Sequence, residues 1–406
     1  VLPSAAAIEL LSAGKLDEAE ALLQPLLSAH PLDPDLLANL GLIAFRRRNL
    51  AHARELLQRA TAISPHNHVV HSNLAAVLAD LGEFAAAELH ARSALSLDPT
   101  DTEAQITLAE CLTSRESFDE AERSYAEAAQ VERWRVAGQV RFGRTFFEVA
   151  RVAFANAQLP PVTTIASSAA RETTHVLFLA CSADYLERYA GSLLESLSAN
   201  GGGDGLLHLH LVSGDEGITE RLAAVPKRYS RLPMIITMES PDLAGMDQDR
   251  RVAFHTAARF LRVPTLLAHY AKPVVTLDID AIIEGPTRQL VEAGVGADLA
   301  LMLRIPQRIA WTNVLAGTVV FNPSARAMDF ARQVAGFLLA SMAEGRMSWN
   351  IDQIALYCSL VMQKRFAQAP AVRSVNEAAE RVIYQLSPLR GEKQADRKYL
   401  EYFAEI

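Results

Sequence analysis

The sequence predicts two architectures in series: an α-helical solenoid, then an α/β domain built on a Rossmann-like, mostly parallel sheet. Three observations carry this. A 34-residue period runs through the first third of the chain, a break rich in Pro, Ser and Thr lies at 159–175, and beyond it apolar strands alternate with helices. At 406 residues there is room for two or three cores, since single cores stop growing at about 250–300 residues.

The period is read first. Pro31, Pro65 and Pro99 lie 34 apart, as do Ala19, Ala53, Ala87 and Ala121. Small residues (Gly41, Ala75, Ala109) recur where paired helices must approach, and Leu50, Phe84 and Phe118 mark a further equivalent position. A two-helix unit cannot bury its apolar stripe alone, so such units stack into a superhelix with a concave groove. This covers residues 1–132; residues 133–172 read as a helical extension and linker, and 173–406 as the α/β domain.

In that domain the strands "HVLFLACS", "LHLHLVS", "MIITM" and "PVVTL" are continuously apolar, as in a sheet covered on both faces. The last runs into "DID". Ligands of open α/β sheets bind beyond the carboxyl ends of the strands. Period-two alternation there aims Asp278 and Asp280 one way and turns Ile279 into the core. Two carboxylates facing one cavity repel unless a cation lies between them, and a hard divalent ion, Mn²⁺ or Mg²⁺, takes oxygen ligands and keeps positions for phosphate. An isolated DxD arises often by chance, so the surrounding segments matter.

Those segments resemble known families. The 34-residue units look like tetratricopeptide (TPR) repeats. The α/β segments resemble a GT-A glycosyltransferase of the glycogenin and bacterial lipopolysaccharide galactosyltransferase type, in four stretches: "LFLACSADYLERYAGSLLESL", "AARFLRVPTLLAHYAKPVVTLDIDAII", "LAGTVVFNP" and "WNIDQIAL". The resemblance implies a nucleotide-sugar donor, a UDP-sugar first, with Tyr185 stacking on the base and Cys181 and Ser182 beside base or ribose. It implies Arg259 and Arg262 on the diphosphate, Asp278 and Asp280 on the metal, with Asp278 also on the donor, Asn322 in the sugar pocket, and Asp352 and Gln353 at the reacting carbon. Asp352 could instead cap its helix. The family's C-terminal histidine, a third metal ligand, has no counterpart: in "LSPLRGEKQ" Pro388 stands in its place, with Gly391 and Lys393 retained, and Lys393 remains a phosphate partner.

TPR grooves bind peptides, so a protein acceptor is expected there. Asn39 and Asn73, 34 apart, occupy a groove-facing position where amides could bond an extended backbone, like the asparagine ladder of O-GlcNAc transferase; the third equivalent is Thr107. His66, His68 and His71 lack the companions of a metal site. The chain is thus expected to be a metal-dependent glycosyltransferase acting on a protein. The rivals are a transferase for lipid-linked or polysaccharide acceptors, with repeats that form a complex or a homo-oligomer, and a catalytically inactive scaffold.

Composition sets the remaining bounds. Half the residues are hydrophobic, 21% are charged and the formal net charge is −8. That is globular, and it argues against nucleic-acid binding, which needs a basic face. Cys111, Cys181 and Cys358 stand apart with no CxxC, as in reducing compartments. No run reaches the ~20 apolar residues of a membrane span and no signal peptide is visible, so a cytoplasmic address is expected.

Overall fold

The computed structural model describes residues 3–168, 171–212, 216–304 and 309–384. Lys393 and the 386–394 stretch lie outside them. The chain divides into two compact units, the first mainly residues 1–141 and the second mainly residues from Phe142 onward.

The first unit is four helical hairpins: α1 (Pro3–Ser12) with α2 (Leu16–Ala29), α3 (Pro34–Arg46) with α4 (Leu50–Ile63), α5 (His68–Asp80) with α6 (Phe84–Leu97), and α7 (Thr102–Ser114) with α8 (Phe118–Ala128). The 34-residue period is written into the chain's turns as well as its core. Asp33, Asn67 and Asp101 each cap an inner helix through a side-chain oxygen, Asp33 accepting from Asp35 N–H at 2.9 Å, Asn67 from Val69 N–H at 3.0 Å and Asp101 from Ala104 N–H at 3.0 Å. Within each hairpin the turn needs one left-handed residue, supplied by Gly14, Arg48, Gly82 and Glu116. At Gly41 an added Cβ would lie 2.8 Å from Leu57 Cγ, which is why this position stays small; Ala75 and Ala109 there are fully buried. Surface pairs such as Arg54–Glu83 (2.8 Å) and Arg92–Glu120 (2.7 Å) link successive hairpins, but exposed pairs contribute little beside the buried Leu and Ala seam. A 3₁₀ turn, Glu132–Gln139, follows α8.

In the second unit α9 (Arg144–Ala155) leads to β1 (Thr163–Ser167), β2 (His175–Cys181), α10 (Ala183–Asn200), β3 (Gly205–Val212), α11 (Glu216–Arg228), β4 (Met234–Glu239), α12 (Gln248–Tyr270) and β5 (Val274–Leu277). Then come β6 (Ile282–Ile283), α13 (Arg288–Ala293), β7 (Leu299–Leu303), β8 (Val314–Phe321), α14 (Ala325–Ala343), α15 (Ile351–Phe366), β9 (Val372–Ser374), α16 (Asn376–Val382) and β10 (Ile383–Tyr384). Among the described residues the main sheet has eight strands in the order β1–β4–β3–β2–β5–β8–β7–β9; β6 and β10 form a separate pair. It is mixed and mostly parallel: β4, β3, β2 and β5 run together, while β1 and β8 run against their neighbours. Alternation assigns its faces. Leu177, Leu209, Ile236, Val275 and Leu277 join a core with α10, α11, α13 and α16, which leaves the even-numbered residues of β2, β3 and β5, and the odd-numbered residues of β4, to the α12 side. Among the described residues no helix is long and apolar enough to cross a membrane.

The structure departs from the expected linker at 159–175. Its β-branched run "TTIAS" is edge strand β1, antiparallel to β4, with Thr163 opposite Met238 and Ser167 opposite Ile235. Helix α9 likewise belongs to this unit, packing on α14 with the Phe146 and Phe337 rings edge to face at 5.0 Å. An alanine Cβ at Gly336 would lie 2.0 Å from the Ala150 carbonyl oxygen, a backbone atom that cannot swing away. Gly336→Ala is therefore expected to destabilise this unit by about 1–3 kcal/mol despite alanine's better helix propensity, read as a lower urea midpoint.

Candidate functional site

Strand β5 ends at Leu277, and residues 278–281 form a turn closed by the Ala281 N–H donating to the Asp278 carbonyl at 3.2 Å. The aspartates thus sit on a turn beyond the strand rather than on the strand itself. Ile279 is buried in the α10-side core while Asp278 and Asp280 are half-buried. The Arg259 guanidinium on α12 donates from Nη1 to Asp278 Oδ1 and from Nη2 to Asp352 Oδ2, the latter at 3.1 Å. Side-chain exposure is 5% for Arg259, 5% for Asp352 and 36% for Asp278, so the bridge runs from an enclosed carboxylate to an open one.

Burial pushes the Asp352 carboxyl up to about 6; Arg259 and the Gln353 N–H (2.8 Å) pull it down, and the Asp278 charge adds to the rise. Desolvation therefore outweighs the ion pair, yet the group is still mostly ionised at neutral pH. Arg259 is held above its ordinary value by its two carboxylates, which overcome its burial. Asp352 does not cap α15. The cap position is Asn350, without a side-chain hydrogen bond, and Asp352 lies inside the first turn with Gln353 half-buried after it. Buried ion pairs are poor stabilisers, because desolvation offsets the attraction.

Tyr185 and Ser182 stand on the neighbouring strand's exit. Ser182 is the N-cap of α10 but makes no capping bond with its side chain, and Tyr185 is 43% exposed. Because β2 and β5 are adjacent and parallel, this exit and the Asp278 turn lie side by side at the same end of the sheet. Among the described residues no three His, Cys, Asp or Glu side chains are grouped to hold a metal. A cation on the Asp278–Asp280 turn would have those two carboxylates as protein ligands and complete its shell with water and phosphate, which suits Mg²⁺ chemistry.

Three expected donor residues are placed elsewhere. Cys181 points into the α10-side core, 3% exposed, its thiol pushed by burial to about 12; strand parity turns it away from the Asp278 side. Arg262 donates to Glu239 on β4, three strands from β5, and to the Pro160 carbonyl at 2.7 Å, so the buried Glu239 carboxylate engages it away from the Asp278 turn. Asn322 follows β8, which is antiparallel to β5, so it lies at the opposite end of the sheet from Asp278. Its amide donates to the Gly294 and Ala297 carbonyls at 2.8 Å and shapes that turn.

In the repeats, Asn39 and Asn73 are half-buried, and neither amide bonds another described residue. Thr107 is fully buried. His68 pairs with Asp101 (3.1 Å) at the start of the next hairpin, while His71 contacts His90 (2.9 Å) within its own hairpin and the Pro65 carbonyl (3.0 Å) in the preceding turn. A cavity of about 610 Å³ between α13 and α16 is bordered by Arg288, Glu292, Glu377 and Arg381, on the sheet face away from Arg259.

Residues 4–68 and 78–133 match models of the tetratricopeptide repeat, so the N-terminal region consists of TPR repeats. A curated relative, the BBSome complex member BBS4 of Mus musculus, is 29% identical over 105 residues, which is 26% of this chain and 20% of that protein. The chain thus spans about a fifth of the relative's length. Solved structures similar to it include MamA (18% identity, 33% of this chain and 80% of that one, TM-score 0.29). YrrB, described as a TPR protein with an unusual peptide-binding site, is also similar (21% identity, 33% and 69%, TM-score 0.30).

Proposed function

We propose that the α/β unit is a metal-dependent GT-A glycosyltransferase that moves a sugar from a nucleoside-diphosphate donor to a protein acceptor recruited by the TPR groove. The observation that carries this reading is the Arg259 bridge, which ties the first aspartate of the DxD turn, Asp278, to Asp352, a carboxylate 74 residues further along the chain, beyond the carboxyl ends of parallel strands. Breaking the bond between the anomeric carbon and the diphosphate leaves positive charge on the sugar and negative charge on the leaving group. Bound Mn²⁺ or Mg²⁺ supplies positive charge to that leaving group. Asp278 and Asp280 would hold the ion. Asp352, oriented by Arg259, presents negative charge to the sugar; Gln353 bonds sugar hydroxyls, and Tyr185 offers a face to the base. With Arg262 and Asn322 engaged elsewhere, the donor relies on fewer side chains than the family resemblance implies.

Thermal unfolding against a panel of nucleotide sugars, with and without Mn²⁺, tests the reading. Donor at a hundred times its Kd stabilises the native state by about 2.7 kcal/mol. A rise for one sugar nucleotide that needs metal and disappears in Asp278→Ala/Asp280→Ala is the expected outcome. No rise across the panel overturns it in favour of a scaffold.

For the acceptor, the free amides of Asn39 and Asn73 predict a separation of effects. Asn39→Ala/Asn73→Ala is expected to change stability by no more than about 0.5 kcal/mol, since no internal bond is lost. Affinity for an acceptor peptide should fall about 10- to 100-fold, the weight of two to four hydrogen bonds. Unchanged affinity, measured by titration calorimetry, would remove the asparagines from the acceptor site.

A further inference from the structure

One side chain toward the same end of the sheet has no assigned part. His255 stands one turn before Arg259 on α12, so it shares that residue's face about 6 Å nearer the helix N-terminus. Its Nδ1 is buried and makes no hydrogen bond. Asp184, in the first turn of α10, acts on the ring electrostatically, and α12 packs along β2, whose exit leads into α10. That exit is the point where the sheet's connections diverge: β2 leads by α10 to β3 on one side, whereas β5 leads toward β7 and β8 on the other. Divergence of this kind opens a crevice between neighbouring strand ends and marks the ligand position in open α/β sheets.

We infer that His255 is a positioning residue for the donor, its Nδ1 hydrogen-bonding a ribose hydroxyl of the nucleoside diphosphate. The inference rests on the glycosyltransferase reading and adds the ribose to it. A buried nitrogen without a partner costs free energy that a ligand group recovers on binding. Burial, with Arg251 adding and Asp184 opposing, lowers the imidazole's affinity for a proton, so the ring is neutral at neutral pH. A neutral ring suits a hydroxyl, which both donates and accepts, better than it suits a phosphate, which calls for a cation. The diphosphate is left to the ion on Asp278 and Asp280.

The test compares binding of UDP, 2′-deoxy-UDP and 3′-deoxy-UDP in the presence of Mn²⁺, to the full chain and to His255→Ala and His255→Asn. Wild type should bind UDP about tenfold more tightly than one of the deoxy compounds. His255→Ala should lose that tenfold preference with an unchanged melting temperature in the absence of ligand. The Asn variant, whose amide falls near the position of Nδ1, should recover part of it. A purely structural histidine would instead lower the melting temperature and leave the ratio intact. If wild type binds UDP and the alanine variant keeps the wild-type ratio, this assignment is overturned and the glycosyltransferase reading stands. If wild type binds none of the three nucleotides or any nucleotide sugar of the panel, both fall together.

Discussion

Arg259→Met is expected to destabilise the α/β unit by about 3–5 kcal/mol, the range seen when one partner of a buried pair is removed. Asp352 would be left enclosed with the Gln353 N–H and no cation. Its remaining recourse is to take up a proton, so the loss should be smaller near pH 4 than at pH 7. At about 2–4 °C per kcal/mol for a unit of this size, the melting temperature at pH 7 should fall by roughly 10 °C. Methionine keeps most of the arginine's volume, so packing contributes little to that difference. Metal-dependent donor turnover should fall at least 100-fold, because both carboxylates lose their orientation. A stable variant with unchanged pH dependence would mean that Asp352 does not rely on Arg259.

Asp352→Asn separates charge from shape. In the native state the carboxyl titrates near 6 against an ordinary value of 3.8. The raised value means that the native state favours the protonated form, so this group's contribution to stability is present in full below pH 4 and is lost as pH rises through 6. About 2 pKa units at 1.36 kcal/mol each make that loss about 3 kcal/mol. Asparagine cannot ionise, so the variant should gain on wild type by about this amount between pH 4 and pH 6, in paired urea titrations. Turnover gives the complementary reading. Wild type should gain activity as pH rises through about 6, when Asp352 acquires its charge, and the variant should be 100- to 1000-fold slower with no such limb. A wild-type profile that is flat from pH 5 to 7 would take Asp352 away from the reacting carbon.

Legibility in the sequence followed the range of the interactions involved. The TPR period was plain, because each hairpin packs on its neighbours and the same few positions repeat: the buried small residues, the helix caps at Asp33, Asn67 and Asp101, and the left-handed turn residues. The caps and turns carry a second copy of the 34-residue signal that the proline and alanine spacing alone does not use. The place of the aspartates was legible too, because an apolar strand ending in a charged turn has one place to put its carboxylates and Ile279 had to go inward.

What the chain by itself determined, then, is the repeat array, the mostly parallel α/β character of the second unit and the position of Asp278 and Asp280 beyond a strand. Only the tertiary structure decided their partners. The reversed direction of β8 carried Asn322 to the far end of the sheet, the parity of β2 turned Cys181 into the core, and a buried Glu239 engaged Arg262. Equally, no local signal joins Arg259 to Asp352, or sets His255 near Asp184. Such pairings depend on strand order and helix crossing, which arise from burying apolar surface across the whole unit, and spacing along the chain does not encode them.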